Sequence, residues 1–303
     1  MCSHKKTSIW FISILLFSLL GLLSACSSTP SGAHGTSHTI KVVAAENFYG
    51  DIAKQLGGQY VIVTSILSNP NVDPHEYQSN AQTSITVSQA DLVIENGKGY
   101  DDWMDQILSS APNSQRLLLK GYDAATKHLP ENVHVWYSFE NATAIAQAIT
   151  ADFKKLDPID AASFDSNLQM FKQSLQPLQQ EIAAIKAKYN GTPVGLTETI
   201  YLYQTEPEAL HVLTPFEFEK AIAEGNDPPA DAVITTTDQI NKQQIKILIY
   251  NAQTVTPVTT NLEKLAQAKH IPIVPVTELM PPNKTYQIWM RDQLNALQTA
   301  LGG

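Results

Sequence analysis

One apolar stripe in the middle of the chain limits the possible folds most strongly. Apolar residues recur there at alternating spacings of four and three, at Phe164, Leu168, Phe171, Leu175, Leu178, Ile182, Ile185 and Tyr189. This spacing predicts a single long helix with one apolar face. A helix over residues 160–189 would be about 45 Å long, which is too long for a simple crossover between neighbouring strands. Pro177 lies inside it and predicts a kink or a local break.

We interpret the stripe as a helix that connects two parts of this chain. A coiled-coil seam with another protein is the alternative, but only about four heptads are present. Strand-like apolar runs occur on both sides of the stripe, at residues 39–46, 61–67, 91–95, 192–197, 245–250 and 271–276. Helical patterns alternate with them, at residues 48–56 with Asn47 as the cap, from about 81, through 103–108, and at 201–210, 215–224, 230–243 and 284–301.

This alternation predicts mostly parallel sheets covered by helices on both faces. The predicted fold class is α/β, with two lobes, each a mostly parallel β-sheet flanked by helices, joined by one long backbone helix. We expect an N-terminal lobe at residues 39–156, a linking helix at 157–190 and a C-terminal lobe at 191–303.

The first residues have the pattern of a secretion signal. Residues 1–25 contain two lysines and then an apolar run from Ile9 to Leu23, which is shorter than the roughly 20 residues of a membrane span. Leu23-Ser24-Ala25-Cys26 is similar to a bacterial lipobox, so we expect Cys26 to be lipidated and to become the mature N-terminus. An ordinary signal peptide cleaved nearby is the alternative. Residues 26–38, rich in Ser, Gly, Thr and Pro, predict a flexible tether.

The charge of the chain argues against nucleic-acid binding, and its cysteine content argues against a metal site with thiolate ligands. The chain has 29 acidic and 20 basic residues, and removal of the signal takes away Lys5 and Lys6 and no acid, leaving a net charge of −11 with histidine neutral. An acidic chain without a basic cluster is a poor nucleic-acid binder. Because Cys2 leaves with the signal and Cys26 carries the lipid, any metal site must use nitrogen and oxygen ligands.

Four potential metal ligands lie at strand ends or helix starts. His75 lies in the rigid loop of residues 69–77, where Pro70 and Pro74 fix the backbone after a buried strand. His134 precedes a helix predicted from about residue 140, while Glu198 and Glu278 closely follow the strands at 192–197 and 271–276. Open α/β sheets bind ligands at the carboxyl ends of their strands. We therefore predict that the four side chains meet in the cleft between the lobes.

Each of these residues also has a simpler interpretation. Glu198 and Glu278 could be acids that stabilise helix starts, His134 could be a buried histidine with satisfied hydrogen bonds, and His75 could face solvent. Other acids could take the place of the fourth ligand, namely Glu46, Glu76, Glu206 and Asp227. Glu206 and Glu208 are expected to be exposed and to offer charge to a partner.

Three motifs resemble a known family. The segments Asp73-Pro74-His75-Glu76-Tyr77, residues 90–97 (ADLVIENG) and Val133-His134-Val135-Trp136 are similar to those of the metal-binding lipoproteins of manganese and zinc ABC transporters, of the cluster A-I type. The similarity runs in order from about Ile40 to Leu301. The family's two histidines map to His75 and His134, and its two further ligands map to Glu198 and Glu278. Val133 replaces the family's usual proline, and Glu278 replaces the more common Asp.

The resemblance implies a solute-binding lipoprotein, anchored outside the bacterial cell membrane through Cys26. It implies that the protein binds Mn²⁺ or Zn²⁺ and delivers it to an ABC transporter permease, as a monomer and without catalysis. The ligand set favours Mn²⁺ or Fe²⁺ without excluding Zn²⁺. A surface adhesin with an incidental metal and a secreted metallohydrolase are the alternatives, although the chain contains no HExxH or GxSxG motif.

Overall fold

The structure is a computed structural model that describes residues 39–70, 72, 74 and 77–302. Within these residues the chain forms one compact unit. The predictions for the signal (1–25), the tether (26–38), the lipidation of Cys26 and the position of His75 lie outside the described residues.

The first lobe contains a four-stranded parallel sheet. Its strands are β1 (Ile40–Glu46), β2 (Val61–Leu67), β3 (Leu92–Glu95) and β4 (Leu117–Lys120), in the order β2-β1-β3-β4. The helices are α1 (Asn47–Gly57), α2 (Ala81–Ser88), α3 (Asp102–Ser110), α4 (Gly121–Ala124) and α5 (Phe139–Leu156). All four residues of β3 are buried, as expected for a strand inside a parallel sheet with both faces covered.

Two helices connect the lobes. They are α6 (Ala161–Ser174) and α7 (Gln176–Tyr189), and they meet at Leu175. Pro177 lies in the first turn of α7, where its missing N–H costs nothing but where it cannot continue a helix from the preceding turn. The predicted local break is confirmed, and the apolar stripe faces inward with Phe164, Leu175 and Leu178 buried.

The second lobe repeats the arrangement with a second parallel sheet. Its strands are β5 (Pro193–Leu196), β6 (His211–Val212), β7 (Ile247–Asn251) and β8 (Ile273–Val276), in the order β6-β5-β7-β8. The helices are α8 (Leu202–Glu208), α9 (Phe216–Ala223), α10 (Ala230–Asn241), α11 (Pro257–Ala268) and α12 (Tyr286–Gly302). The predicted α/β fold is confirmed, although β4, α4, β6 and α11 were absent from the prediction.

One continuous apolar core extends through both lobes. It includes buried residues of β1, β3, the connecting helices, β5, β8 and α12, while a smaller cluster around Phe218 lies in the second lobe. Near its centre Phe48 stacks on Trp136 at a centroid distance of 4.5 Å and lies 6.0 Å from Trp289 of α12. Because the lobes share this packing, a large hinge opening would expose apolar surface to water.

The predicted helix cap at Asn47 is wrong. Glu46 is the residue before α1, and no side chain caps the helix there. Asn47 instead donates from Nδ2 to the carbonyl of Met280 at 2.6 Å and accepts from the Met280 amide at 3.0 Å. The Asn47 amide therefore joins the end of β1 to the second lobe.

In the described part of the chain, no helix is both long and apolar enough to span a membrane.

Candidate metal centre

The second sheet places two acids beside each other at one edge. Because its strands are parallel, the carboxyl ends of β5, β7 and β8 lie at the same edge. Glu198 follows β5 by two residues and Glu278 follows β8 by two residues. Between them β7 ends at Asn251, which is paired in register with Val276. The topology of the sheet therefore brings two carboxylates that are distant in sequence to one place.

Three of the four predicted ligands converge. One ligand atom each from His134, Glu198 and Glu278 lies within 4.8 Å of those of the other two. All three side chains are buried, with exposed fractions of 1%, 1% and 0%. His134 comes from the first lobe and both glutamates come from the second, so the cluster lies between the lobes.

The orientation of the His134 ring is fixed by Asn132. Asn132 donates from Nδ2 to the carbonyl of Thr199 at 2.7 Å, so its amide oxygen faces the other way. That oxygen accepts from the His134 backbone amide at 3.0 Å and lies 3.0 Å from Nδ1 of the ring. An amide oxygen only accepts, so Nδ1 carries the proton and Nε2 is the ring atom able to coordinate a metal. A hydrogen-bond acceptor at the ring nitrogen that does not bind the metal is typical of metal-binding histidines.

Aromatic rings form one wall of the site. The rings of Tyr100 and Trp136 lie 6.0 and 5.2 Å from the His134 ring, both close to perpendicular. The Tyr100 hydroxyl donates to Oε2 of Glu278 at 2.8 Å. Burial raises the pKa of Tyr100 well above its usual value, and the nearby charges of Glu278 and Glu46 raise it further. Tyr100 therefore keeps its proton and remains a hydrogen-bond donor.

The two carboxylates share one amide donor. Nδ2 of Asn251 lies 3.1 Å from Oε1 of Glu198 and 2.7 Å from Oε1 of Glu278. The Thr254 hydroxyl also donates to Oε1 of Glu278, at 3.2 Å. Hydrogen bonds of this kind favour the ionised form of a carboxylate, which is the form that binds a cation.

The chemistry of these groups fits a divalent transition metal. Imidazole nitrogen and carboxylate oxygen are ligands for Zn²⁺, Fe²⁺ and Mn²⁺. Two buried carboxylates close together repel each other, and a divalent cation between them would remove that repulsion.

Among the described residues, Glu46, Glu206 and Asp227 do not belong to the cluster of His134, Glu198 and Glu278. Glu46 is fully buried at the end of β1, where burial and the neighbouring Asp101 raise its pKa well above the usual value. Glu206 is exposed and pairs with Lys127 at 2.6 Å, and Asp227 is also exposed. Glu76 lies outside the described residues. The described geometry therefore favours Glu278 over Glu46, Glu206 and Asp227.

The expectation that Glu208 is exposed is wrong. Its side chain is fully buried and accepts a hydrogen bond from the Tyr201 hydroxyl at 3.0 Å. Burial raises the pKa of Glu208 to about 8. The side chain is thus part of the interior and offers no charge to a partner.

Sequence reasoning missed the residues that hold the ligands in place. These are Tyr100, Asn132, Asn251 and Thr254. Asn251 ends an apolar strand in the lobe that carries both glutamates, and this position could have predicted a side chain close to them. The other contacts depend on how the lobes pack and leave no local pattern.

Comparison with known proteins identifies the family and the fold. A sequence model of the family described as "Zinc-uptake complex component A periplasmic" matches residues 42–300. The metal ABC transporter substrate-binding lipoprotein ScbA of Streptococcus cristatus is 26% identical, over 78% of this chain and 80% of that protein. The manganese ABC transporter substrate-binding lipoprotein scaA of Streptococcus gordonii is 28% identical, over 60% of this chain and 62% of that protein. The match to this second relative thus spans less than two thirds of its length.

A solved structure has the same fold. The periplasmic zinc binding protein TroA from Treponema pallidum superimposes with a TM-score of 0.74 at 18% identity, covering 87% of this chain and 99% of that one. At this identity the likeness establishes the fold alone. The family match over residues 42–300 carries the assignment: the chain belongs to the ZnuA family of metal-binding substrate-binding proteins of ABC transporters.

Proposed function

We propose that the protein captures one divalent transition metal ion, Mn²⁺ or Zn²⁺, outside the cell membrane and delivers it to an ABC permease. The ion is the transported cargo and binds between the lobes to His134, Glu198 and Glu278, with His75 as the fourth ligand. The observation that carries the proposal is the convergence of three buried ligand atoms from both lobes within 4.8 Å. The names of the relatives, one a manganese and one a zinc binding protein, support the class of cargo.

The charge balance supports such a site. Two neutral imidazoles and two carboxylates carry two negative charges, which a divalent ion cancels. A neutral assembly can be buried at far lower cost than an isolated charge. Binding should therefore be coupled to closure of the cleft around the ion.

The ligand set does not by itself select the metal. Carboxylate oxygens suit Mn²⁺, whereas imidazole nitrogens suit Zn²⁺ and Fe²⁺. The Irving–Williams order places Zn²⁺ above Mn²⁺ for a given site, so we expect tighter binding of Zn²⁺ in solution. Selectivity in the cell would then depend on geometry and on which metal is available.

The remaining parts of the proposal follow from the N-terminal pattern and the family. A lipid on Cys26 would hold the protein at the outer face of the membrane, and the tether would let the body reach the permease. We propose that the protein acts as a monomer and catalyses no reaction, because a site with four protein ligands leaves no open position for a substrate.

Calorimetric titration of the chelator-stripped full-length chain in non-ionic detergent tests the proposal. We expect one equivalent of Mn²⁺ or Zn²⁺ to bind to the wild type, and His134→Ala to lose that binding. His211→Ala is the matched control, because His211 is an exposed histidine in β6. The proposal would be overturned if the wild type bound neither Mn²⁺ nor Zn²⁺. It would also be overturned if His134→Ala bound metal as tightly as the control.

A further inference from the structure

The stretch of chain that leads to His134 is bound to the second lobe by one tyrosine. The Tyr203 hydroxyl in α8 accepts from the Leu129 backbone amide at 3.0 Å and donates to the Asn132 carbonyl at 3.3 Å. A hydroxyl can donate one hydrogen bond while it accepts another, so this side chain holds both ends of the stretch. Because α8 begins four residues after Glu198, Tyr203 joins the part of the first lobe that carries the histidine to the part of the second lobe that carries the glutamate.

Asn132 connects this contact to two of the proposed ligands. Its Nδ2 atom donates to the Thr199 carbonyl at 2.7 Å, and Thr199 follows Glu198 directly. Its Oδ1 atom accepts from the His134 amide and lies 3.0 Å from Nδ1 of the His134 ring. Tyr203 thus fixes the backbone of Asn132, while Thr199 fixes its side chain. The His134 ring and the chain at Glu198 are therefore held relative to each other by contacts within the protein.

The Tyr203 hydroxyl is well defined as a donor. Its side chain is only 1% exposed, and burial raises the pKa of Tyr203 above its ordinary value, so the hydroxyl keeps its proton. Because the Leu129 amide is itself a donor, the hydroxyl proton is directed to the Asn132 carbonyl. Removal of the hydroxyl would leave a buried amide and a buried carbonyl each short of one partner, which is costly in the interior.

Two ion pairs join the same stretch to the second lobe near the protein surface. Nζ of Lys127 lies 2.6 Å from Oε2 of Glu206 in α8, and Nζ of Lys220 in α9 lies 2.7 Å from Oε1 of Glu131. All four side chains are partly exposed, and ion pairs of this kind contribute little because water and salt screen them. The buried hydrogen bonds of Tyr203 therefore contribute more to the positioning than these charges do.

We propose that Tyr203 is a positioning residue of the metal site, which keeps His134 and Glu198 assembled before an ion is bound. The inference rests on the proposed function, in which these two side chains bind the ion from opposite lobes. Ligands that are already in place lose less conformational freedom on binding, so the ion is held more tightly. Because the hydroxyl acts through Asn132 rather than on the ion, its effect is the same for Mn²⁺ and Zn²⁺.

Tyr203→Phe tests this role because it removes the hydroxyl and keeps the ring. In calorimetric titrations of the full-length chain in non-ionic detergent, we expect this variant to bind Mn²⁺ and Zn²⁺ about tenfold more weakly than wild type, in line with the effect of residues that orient metal ligands. Tyr201→Phe is the matched control. It loses the buried hydrogen bond to Glu208, 3.0 Å long, but keeps both hydrogen bonds of Tyr203, and it should keep the wild-type affinities.

Hydrogen exchange at the Leu129 amide measures the assembly without any metal. In the metal-free wild type we expect this amide to exchange about tenfold more slowly than in Tyr203→Phe, because its acceptor is the Tyr203 hydroxyl. Addition of Zn²⁺ should change the wild-type rate little, since the stretch is already in place. An amide that is unprotected in the metal-free wild type, and becomes protected only with Zn²⁺, would overturn the inference even if the variant failed to fold.

Failure of this inference can be distinguished from failure of the proposed function. If wild type binds metal and Tyr203→Phe binds it as tightly as Tyr201→Phe does, Tyr203 does not position the ligands. Equal weakening of both variants would indicate a general loss of stability and would also overturn the inference. A wild type that binds neither metal would instead defeat the proposed function, whereas exchange at Leu129 would still show whether the stretch is held in the metal-free protein.

Discussion

Glu208 allows a prediction about stability that does not depend on a bound metal. Its carboxyl group is fully buried beside the Tyr201 hydroxyl, and burial raises its pKa from the ordinary value of 4.5 to about 8. At neutral pH the folded protein therefore holds a proton on Glu208 that the unfolded chain has released. The contribution of this group to stability is complete below the ordinary pKa and is lost as pH rises through the folded value.

The size of the effect follows from the number of protons involved. Each proton that is bound only in the folded state changes the free energy of unfolding by about 1.4 kcal/mol per pH unit. Between about pH 5.5 and about pH 7.5 the wild type should thus lose roughly 3 kcal/mol through Glu208 alone. In Glu208→Gln the amide oxygen can still accept from Tyr201, but the titrating proton is gone.

Urea unfolding at a series of pH values measures this effect. We expect the stability of Glu208→Gln relative to wild type to rise with pH by about 1.4 kcal/mol per unit across this range. Glu217→Gln is the control, because Glu217 is an exposed acid in α9, and it should follow the wild-type pH dependence. If Glu208→Gln also runs parallel to wild type, burial does not raise the pKa of Glu208 in the folded protein.

Three further predictions concern the metal centre and the contact between the lobes. Asn132→Ala should weaken metal binding by about 10–100-fold in a calorimetric titration, because Asn132 fixes the tautomer of His134. Gln253→Ala should lower the free energy of unfolding in urea by about 1–2 kcal/mol, because Gln253 donates to the Pro70 carbonyl and accepts from the Leu279 amide. Lowering the pH from about 7 to about 5 should weaken metal binding more than tenfold in the same titration, because a coordinating imidazole must be neutral and an ordinary histidine has a pKa of about 6.5.

Exposed residues of the same types provide the controls for these variants. Asn241→Ala should leave metal affinity unchanged, and Gln267→Ala in α11 should leave stability within about 0.5 kcal/mol of wild type. If Asn132→Ala binds metal as tightly as Asn241→Ala, Asn132 does not orient the histidine. An affinity that is equal at both pH values would contradict the use of imidazole ligands.

The fold could be predicted where the local pattern is strong. Long apolar runs such as residues 61–67 identified most strands, and Pro177 identified the break between α6 and α7. β6 was missed because it has only two residues, His211 and Val212, which are too few to show a period. β4 was missed because it has only four residues, of which Leu119 alone is buried.

The site could be predicted only in part, because its support comes from contacts between distant residues. Glu198 and Glu278 were identifiable because each follows a buried strand, and parallel strands end at one edge. Tyr100 was not, because its hydrogen bond to Glu278 joins residues 178 positions apart. The prediction of Asn47 as a helix cap was wrong for the same reason, because its side chain forms a hydrogen bond with the Met280 backbone in the other lobe.

Burial of single charged residues was the least predictable feature. Glu206 and Glu208 lie two positions apart in α8, yet one is exposed and the other fully buried. Helical geometry puts residues two apart on different faces, and only the packing of the lobe decides which face is covered.

We propose that a divalent ion binds to His134, Glu198 and Glu278 between the lobes. Anomalous X-ray diffraction from crystals of the Zn²⁺-loaded protein, recorded on both sides of the zinc absorption edge, tests it most directly. We expect one strong anomalous peak about 2 Å from Nε2 of His134 and from one oxygen of each glutamate. A fully loaded crystal whose zinc peak lies elsewhere, with these three side chains free of metal, would contradict it.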